Sequence, residues 1–276
     1  NTALKAMEQG HEVFAFDNLS RLGVEFNLAE LNKHRLFRLI RGDVRNRSDF
    51  EGIPEVEAII SLAANPGIPW SITNPRYDFE VNALGTLNVL EFARERGKLP
   101  VIYASTNKVY SEKVNRICMK ELETRYVWEN TEPEVYKAGI DEYFSIDSVG
   151  EYPHSPYGCS KYMGDLYCQE YYHIYGVPTV VNRQSCIAGR WQQGCEDQGW
   201  LAWFCFVKMF DAVLTIYGNG KQVRDILNVD ELADLYLLQL LNIDTHKGKV
   251  YNIGGGPENT ASLIEVMNHL VELDGR

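Results

Sequence analysis

Short apolar runs that end in polar residues alternate with helical segments along much of this chain. The runs cover residues 11–16, 36–40, 56–62, 99–104 and 178–182, and a further short strand is predicted at 214–217. Helices are predicted at 75–96 and at 157–175. The first of them begins with a proline and is followed by Gly97. Strands that alternate with helices over this length predict a parallel sheet with helices on both faces. We therefore expect an α/β fold with a doubly wound parallel sheet.

The chain begins with half of a helix instead of a strand. Residues 1–9 read as the end of a helix that stops at Gly10, and the strand at 11–16 runs into Asp17 and Asn18. An acidic residue at that place is typical of the second half of a dinucleotide-binding unit, although Asp17 could simply cap a turn. The glycine-rich loop of the first half is missing. We expect the sequence to be a fragment that lacks an N-terminal strand and this loop.

Composition excludes several classes of function. A formal net charge of −11 argues against non-specific nucleic-acid binding, and an anionic substrate would need a local basic site. No apolar run is long enough to span a membrane, and no export leader is recognisable. The 6 cysteines form no CxxC pair and have no histidine at zinc-ligand spacing. We expect reduced thiols in a cytoplasmic protein, with no metal site.

Small and polar residues follow the predicted strands, at the edge where parallel sheets bind ligands. They are Asp17, Asp43, Ala63, Ala64 and Thr106. The polar stretch 111–154 has little periodicity and is expected to be a long excursion over this edge.

Tyr157 and Lys161 lie one helical turn apart at the start of the predicted helix 157–175, and thus on one face. An ammonium beside a phenol favours the phenolate, so we expect a lowered pKa of Tyr157. Tyr157 could then act as a general base on a sugar hydroxyl, while Lys161 holds the ribose of a nicotinamide cofactor. The spacing also occurs by chance, but the hydroxyl of Thr106 offers a third partner.

Several motifs together resemble the extended short-chain dehydrogenase/reductase family of nucleotide-sugar epimerases and dehydratases. They are Asp17-Asn18, Gly42-Asp43-Val44, Leu62-Ala63-Ala64, Asn82, the run 105–110, Tyr157 with Lys161, and Val223-Arg224-Asp225. The resemblance covers nearly the whole chain and implies a Rossmann-like fold with tightly bound NAD and a smaller C-terminal substrate-binding domain. Residues 1–182 would form the truncated NAD-binding domain. Residues 183–276 would mainly bind the nucleotide sugar, with segments that return to the first domain.

The resemblance also implies roles for single residues. The expected catalytic residues are Thr106, Tyr157 and Lys161. The expected NAD contacts are Asp17, Asn18, Asp43, Val44, Leu62, Ala63, Ala64, Asn82, Ser105, Tyr157 and Lys161. The expected substrate contacts are Thr106, Asn107, Arg183, Gln184, Ser185, Gln198, Trp200 and Arg224. Among these, Arg224 is expected to meet the substrate diphosphate, because a guanidinium can pair two phosphate oxygens.

The residues Asn107 and Lys108 argue against dehydratase activity. Dehydratases of the family carry Asp-Glu directly after the catalytic threonine, and Asn107 and Lys108 cannot supply that acid and base in the same way. The chain most resembles a subgroup that epimerises a CDP-linked sugar at C2 by transient oxidation and return of the hydride. A 4-epimerase of a UDP- or dTDP-sugar is the alternative.

Two further expectations follow from the resemblance. A non-catalytic NAD-binding module would tend to lose Tyr157 or Lys161, and this chain keeps both. A homodimer is implied, formed by the predicted helices 75–96 and 157–175 against their mates.

Overall fold

The computed structural model describes residues 1–129 and 139–274, so that residues 130–138 of the expected excursion lie outside the described residues. The strands are β1 (Val13–Asp17), β2 (Phe37–Arg41), β3 (Ile59–Ser61), β4 (Val101–Thr106), β5 (Met119–Glu121), β6 (Tyr126–Trp128), β7 (Thr179–Gln184), β8 (Cys186–Ala188), β9 (Val223–Asn228), β10 (Lys249–Ile253) and β11 (Thr260–Ser262). The helices are α1 (Thr2–Glu8), α2 (Val24–Leu31), α3 (Ile68–Thr73), α4 (Pro75–Phe79), α5 (Gly85–Glu95), α6 (Ser155–Tyr175), α7 (Trp200–Met209), α8 (Val229–Leu241), α9 (Ile243–His246) and α10 (Leu263–Asp274).

Parallel strands form the centre of the fold. Four of them lie in the order β10-β7-β4-β3, and β1 and β2 form a separate parallel pair. This arrangement confirms the expected α/β fold with a parallel sheet. Within the described residues β1 and β3 are not hydrogen-bonded to each other. That a strand and a glycine-rich loop precede Asn1 stays a prediction.

Alternate residues of the central strands pack into two hydrophobic layers, one on each face of the sheet. Tyr103 and Val181 join a layer with residues of α5 and α6. Ile102 and Val180 join the opposite layer with residues of α8. The strands are therefore covered by helices on both sides, as their unbroken apolar runs predict.

The predicted helix 75–96 forms, but a π-helical turn over Glu80–Leu84 separates α4 from α5. Thr86 stabilises this wider turn, because its Oγ1 donates a hydrogen bond to the carbonyl oxygen of Asn82 at 2.6 Å. The turn directs Asn82 toward Asp78, and the two side chains are joined by a hydrogen bond of 3.1 Å. A π-turn inside an α-helix often marks a functional site.

A smaller unit surrounds β8, β9 and β11, which form a mixed three-stranded sheet. The hairpin of β5 and β6 docks on it: Arg125 Nη2 donates to Thr260 Oγ1 at 2.9 Å, and Lys221 Nζ to Glu121 at 2.8 Å. Strand β10 then returns to pair with β7. The predicted boundary at residue 182 falls inside β7, so a division into two units, which stays a prediction, would have to begin after this strand.

The structure differs from the sequence-based expectations at several elements. The strand expected at 214–217 does not form among the described residues, and the Tyr217 carbonyl instead accepts a hydrogen bond from Gln222 Nε2. The strand expected at 56–62 is only three residues long, Ile59–Ser61. Within residues 1–129 and 139–274, no helix has the length and apolar character needed to cross a bilayer.

Candidate active site

The predicted catalytic residues meet at the carboxyl end of β4. Thr106 ends this strand, and its side chain lies beside the hydroxyl of Tyr157. The Lys161 ammonium donates to the Ala104 carbonyl oxygen at 2.6 Å and lies 4.3 Å from the centre of the Tyr103 ring. The structure thus brings all three side chains to one strand end.

Close backbone packing holds the start of α6 against the segment after β4. A Cβ on Gly158, the residue after Tyr157, would come within 2.8 Å of the Lys108 carbonyl oxygen. Glycine is therefore required at this position for α6 to approach so closely. The amide of Tyr157 itself donates to Ser71 Oγ at 3.2 Å, which links α6 to α3.

Burial shifts the pKa values of Tyr157 and Lys161, the two titratable residues of this group. It raises the pKa of Tyr157, and the hydrogen bond with Thr106 offsets only part of the effect. The expected lowering by Lys161 is wrong for this structure, because the ammonium of Lys161 is directed to the Ala104 carbonyl. Burial also lowers the pKa of Lys161 to about 8.

A buried network around Asp78 holds α6 against the π-turn. Asp78 is 0% exposed, and one carboxylate oxygen accepts from Ser160 Oγ at 2.5 Å. The other oxygen accepts from Asn65 Nδ2 at 3.0 Å and from Asn82 Nδ2 at 3.1 Å. Ser160 directly precedes Lys161, so the network fixes the turn of α6 that carries the reactive pair. Sequence reasoning missed Asp78 and Ser160.

Asn82 was expected to contact NAD but belongs to this buried network. Its side chain is 0% exposed, and its amide also bonds to both backbone groups of Asn65. Asn65 lies in the loop after β3, next to Ala64. Asn82 therefore positions that loop through the protein interior, which differs from the expected direct contact.

A cavity of about 650 Å³ lies at the carboxyl ends of β1, β2 and β3. Many of the expected NAD contacts line it, namely Asp17, Asn18, Asp43, Val44, Leu62, Ala63 and Ala64. Its volume falls within the range of about 300–1,000 Å³ that is usual for small-molecule sites. The sequence therefore identified the residues around one shared recess.

Polar contacts hold the two acidic residues of this cavity in place. Asp17 Oδ1 accepts from the Leu19 amide at 2.7 Å. Asn18 Nδ2 donates to Asp43 Oδ2 at 2.9 Å, and Arg45 pairs with both oxygens of Asp43. The Arg45 guanidinium holds the pKa of the Asp43 carboxyl well below its usual range. Fixed carboxylates that accept from ribose hydroxyls, beside the exposed apolar surface of Leu62, fit the adenosine end of a dinucleotide.

Three expected ligand contacts are directed into the protein instead. Ser105 Oγ donates to Asp165 Oδ2 at 2.7 Å, and Ser105 is 4% exposed. Arg183 is 5% exposed and forms a buried ion pair with the same Asp165 at 2.9 Å. Gln184 donates to the hydroxyl of Tyr236 on α8. These side chains bond to partners within the fold, and their expected contacts with NAD or substrate stay a prediction.

Of the remaining expected substrate contacts, Asn107 and Ser185 directly follow β4 and β7, and Arg224 lies near the start of β9. Asn107 is exposed directly after Thr106, and within the described residues the buried Ser185 hydroxyl has no hydrogen-bond partner. Gln198 accepts from Arg21 Nη2 at 2.8 Å and also lines the 650 Å³ cavity.

Trp200 and Arg224 lie on separate elements of this side. Trp200 opens α7, and its ring packs edge-on against Phe204 with 5.3 Å between ring centres. It is not among the described lining residues of the 650 Å³ cavity. Arg224 lies on β9 and is half-buried, with Nη1 donating to the Val223 carbonyl at 3.0 Å.

Comparison with known proteins identifies the family of this chain. The sequence model of the NAD dependent epimerase/dehydratase family matches residues 1–254. The chain belongs to this family. Members of known structure include the UDP-glucose 4-epimerase of Thermus thermophilus in complex with NAD. It has a TM-score of 0.76 and 25% identity to this chain, over 100% of this chain and 79% of that one.

Individual family members differ in their similarity to this chain. The CDP-paratose 2-epimerase of Salmonella typhi is 39% identical over 98% of this chain and 79% of its own length. The putative UDP-glucose 4-epimerase of Methanocaldococcus jannaschii is 29% identical over 98% of this chain and 78% of its own length. Membership confirms the expected enzyme class, an NAD-dependent epimerase, and NAD as the cofactor.

Proposed function

We propose that this enzyme inverts C2 of a CDP-linked sugar, as a CDP-paratose 2-epimerase that produces the CDP-tyvelose epimer. The observation that carries the proposal is the 39% identity to the Salmonella typhi CDP-paratose 2-epimerase. The Methanocaldococcus jannaschii 4-epimerase relative reaches 29%, and the dTDP-glucose 4,6-dehydratase of Streptomyces niveus reaches 25%.

The residues after Thr106 support epimerisation over dehydration. Elimination of water needs an acid and a base beside the reacting carbons. Asn107 cannot exchange a proton, and Lys108 offers an ammonium in place of a carboxyl group. A 4-epimerase of a UDP- or dTDP-sugar would use the same three catalytic residues and remains the second candidate, supported by its named relatives.

Proton transfer is assigned to Tyr157 in this proposal. Bound NAD supplies the acceptor, and later the donor, of the hydride at the sugar carbon, so that no net redox change results. Tyr157, as the phenolate, takes the proton from the sugar hydroxyl and returns it when the hydride returns, while Thr106 Oγ1 orients the sugar hydroxyl. Lys161 holds the cofactor ribose and fixes the strand end through the Ala104 carbonyl.

Substrate binding is assigned to the side of β8 and β9. Arg224 is proposed to pair with the diphosphate, and Asn107, Ser185, Gln198 and Trp200 to surround the sugar. In the same proposal residues 1–182 mainly bind NAD and residues 183–276 mainly bind the nucleotide sugar. The returning strand β10 and helix α8 support the expectation that part of the second segment packs on the first.

A homodimer and a cytoplasmic location complete the proposal. Apolar side chains on one face of α6 are exposed: Met163 at 39%, Leu166 at 41%, Tyr167 at 42% and Ile174 at 66%. Such a stripe on a helix is suited to a second helix. The cysteines are all free thiols, which suits a reducing compartment.

The decisive test follows the sugar proton by NMR in deuterated water, with NAD present and CDP-paratose as substrate. We expect conversion to the C2 epimer with hydrogen retained at C2, because the hydride returns internally. Tyr157→Phe should lower kcat by about 10²- to 10⁴-fold, the usual contribution of a general base. Tyr143→Phe, which alters a side chain that is 94% exposed, should not change it.

Two results would contradict the proposal in different ways. Deuterium at C2 would indicate deprotonation of the carbon and would exclude the oxidative route. No turnover of CDP-paratose, together with turnover of a UDP- or dTDP-sugar at C4, would establish the second candidate instead.

A further inference from the structure

Lys108 and Arg224 bring positive charges together beside Thr106. The residue Lys108 is exposed as a whole, but its ammonium lies in a recess: desolvation and then the charge of Arg224 lower its pKa. The charges of Cys186 and Glu112 also act on the Lys108 ammonium, and they raise its pKa. Within residues 1–129 and 139–274, neither Lys108 nor Arg224 forms a salt bridge. Neighbouring like charges repel each other, and a bound anion relieves the repulsion.

Strand pairing explains why these cations meet, although they are far apart in sequence. Thr106 is paired with Gln184, so the ends of β4 and β7 are level. The chain continues from Gln184 into β8, where Cys186 is paired with Ile226 of β9. Arg224 precedes Ile226 on β9 and points to the same face, because side chains alternate along a strand. The cation pair is therefore built into the central sheet and its extension.

The backbone of Lys108 is fixed to the catalytic centre. Its amide donates to Thr106 Oγ1 at 3.2 Å at the start of a short 3-10 helix, Asn107–Tyr110. Its carbonyl oxygen packs against Gly158, next to Tyr157. The Lys108 backbone thus lies between Thr106 and Tyr157, and the positive charge of Arg224 acts on its ammonium.

We propose that Lys108 binds the substrate diphosphate together with Arg224, on the side that faces Thr106 and Tyr157. The proposal rests on the proposed function only in requiring a nucleotide diphosphate sugar. The Arg224 guanidinium can pair two phosphate oxygens, and the Lys108 ammonium adds a compact charge from the other side. In a chain of net charge −11, this pair supplies the local basic site that an anionic substrate needs.

The position of Lys108 also favours reaction at C2. C2 of a nucleotide sugar is bonded to the anomeric carbon that carries the diphosphate, whereas C4 lies across the ring. A cation anchored directly beside Thr106 holds the diphosphate close to the reacting hydroxyl, which suits C2. Lys108 is therefore a substrate-binding residue that can contribute to the choice of carbon.

Calorimetric titration of the NAD-loaded protein tests this assignment. CDP, UDP and dTDP are each titrated into the wild type, Lys108→Gln, Lys108→Arg and the control Lys120→Gln, whose side chain is exposed on β5. We expect Lys108→Gln to weaken the preferred nucleoside diphosphate by about 10- to 100-fold, the range of a charge-assisted contact. Lys108→Arg should retain most of the affinity, and Lys120→Gln all of it. The corresponding nucleoside should bind wild type and Lys108→Gln equally.

Further measurements distinguish a failure of this inference from misfolding of the variant and from a failure of the proposed function. Circular dichroism establishes that Lys108→Gln is folded, as expected, because only the backbone of Lys108 is used in packing. Undiminished binding of the diphosphate by folded Lys108→Gln would overturn the inference, as would an equal loss for the nucleoside. A wild-type preference for UDP or dTDP would contradict the proposed substrate alone, and the effect of Lys108→Gln would then be measured with that nucleotide.

Discussion

Lys161 buries its ammonium at the end of β4, where the residue is only 3% exposed. Among the described residues no carboxylate is bonded to it, and its hydrogen bond goes to the carbonyl of Ala104. A carbonyl compensates for only part of the hydration that a charged ammonium loses on burial. The residue therefore imposes a cost on folding as long as it is protonated.

This cost predicts a pH dependence of stability in the protein without NAD. The pKa of Lys161 is about 8 in the folded chain, against about 10.4 for an unperturbed lysine. Between these values the unfolded chain binds more protons, so the free energy of unfolding should rise with pH in that window and level off on either side. Urea unfolding of the wild type should show this rise, and Lys161→Met should lack it. The exposed control Lys249→Met should follow the wild type. Parallel profiles for wild type and Lys161→Met would contradict the assigned cause.

Single residues of the site were predictable to different extents. Thr106, Tyr157 and Lys161 were predicted to act together, and the structure brings them to one strand end. Arg183 and Ser105 were assigned to ligands because they lie at strand ends, but both bind Asp165, which lies on α6. Sequence position gives the end of the strand, whereas the side-chain direction depends on which helix packs on which face.

At the scale of elements, the π-turn between α4 and α5 joins two helical segments and contributes Asn82 to the buried network behind the active site. Asp78 precedes the turn and Asn82 lies within it, and a hydrogen bond joins their side chains. The same carboxylate bonds to Ser160 of α6. A change in the winding should therefore be transmitted to the turn that carries Tyr157.

The variant Thr86→Val tests whether the Thr86 hydroxyl stabilises this turn. Thr86 is 4% exposed, and its hydroxyl bonds to the Asn82 carbonyl and the Tyr103 hydroxyl. Valine keeps the shape but removes the hydrogen bond to the Asn82 carbonyl, so we expect a loss of about 1 kcal/mol in the free energy of unfolding. Urea unfolding measures it, with the exposed Thr73→Val as the matched control. Equal urea midpoints for Thr86→Val and wild type would show that the hydroxyl does not support the turn.

Elements held by distant contacts were the ones that sequence did not reveal. The hairpin of β5 and β6 was not predicted, since residues such as Arg125 find their partners on β11. The strand expected at 214–217 had an apolar pattern but finds no neighbouring strand to pair with in the described part of the chain. The helices 75–96 and 157–175 were predicted well, because their start and stop signals are local.

At the scale of the whole molecule, the parallel sheet with helices on both faces followed from the alternation of apolar runs and helices. The assembly state did not, because a face exposed in one chain can be judged only in three dimensions. The stripe of Met163, Leu166, Tyr167 and Ile174 became visible once α6 was seen to bury its opposite face, including Cys168 and Tyr171.

Sedimentation at micromolar concentration should therefore show a particle with twice the mass of the chain. Leu166→Arg places a charge in the stripe and should shift the protein toward the monomer. Leu241→Arg, at an exposed leucine of α8 outside the stripe, should leave the mass unchanged. A monomeric wild type, or a Leu166→Arg variant that remains dimeric, would count against this interface.

Strand β7 is bonded through side chains to helices on both faces of the sheet. Asn182 and Gln239 of α8 exchange hydrogen bonds of 2.7 and 2.9 Å, whereas Arg183 turns to Asp165 of α6. A slip of the strand by one residue would bury the guanidinium against α8 and leave the amides without partners. Apolar side chains alone would tolerate such a slip far better. The polar residues of β7 therefore fix the register of this strand. A fixed register keeps the ends of β4 and β7 level, where the catalytic residues lie.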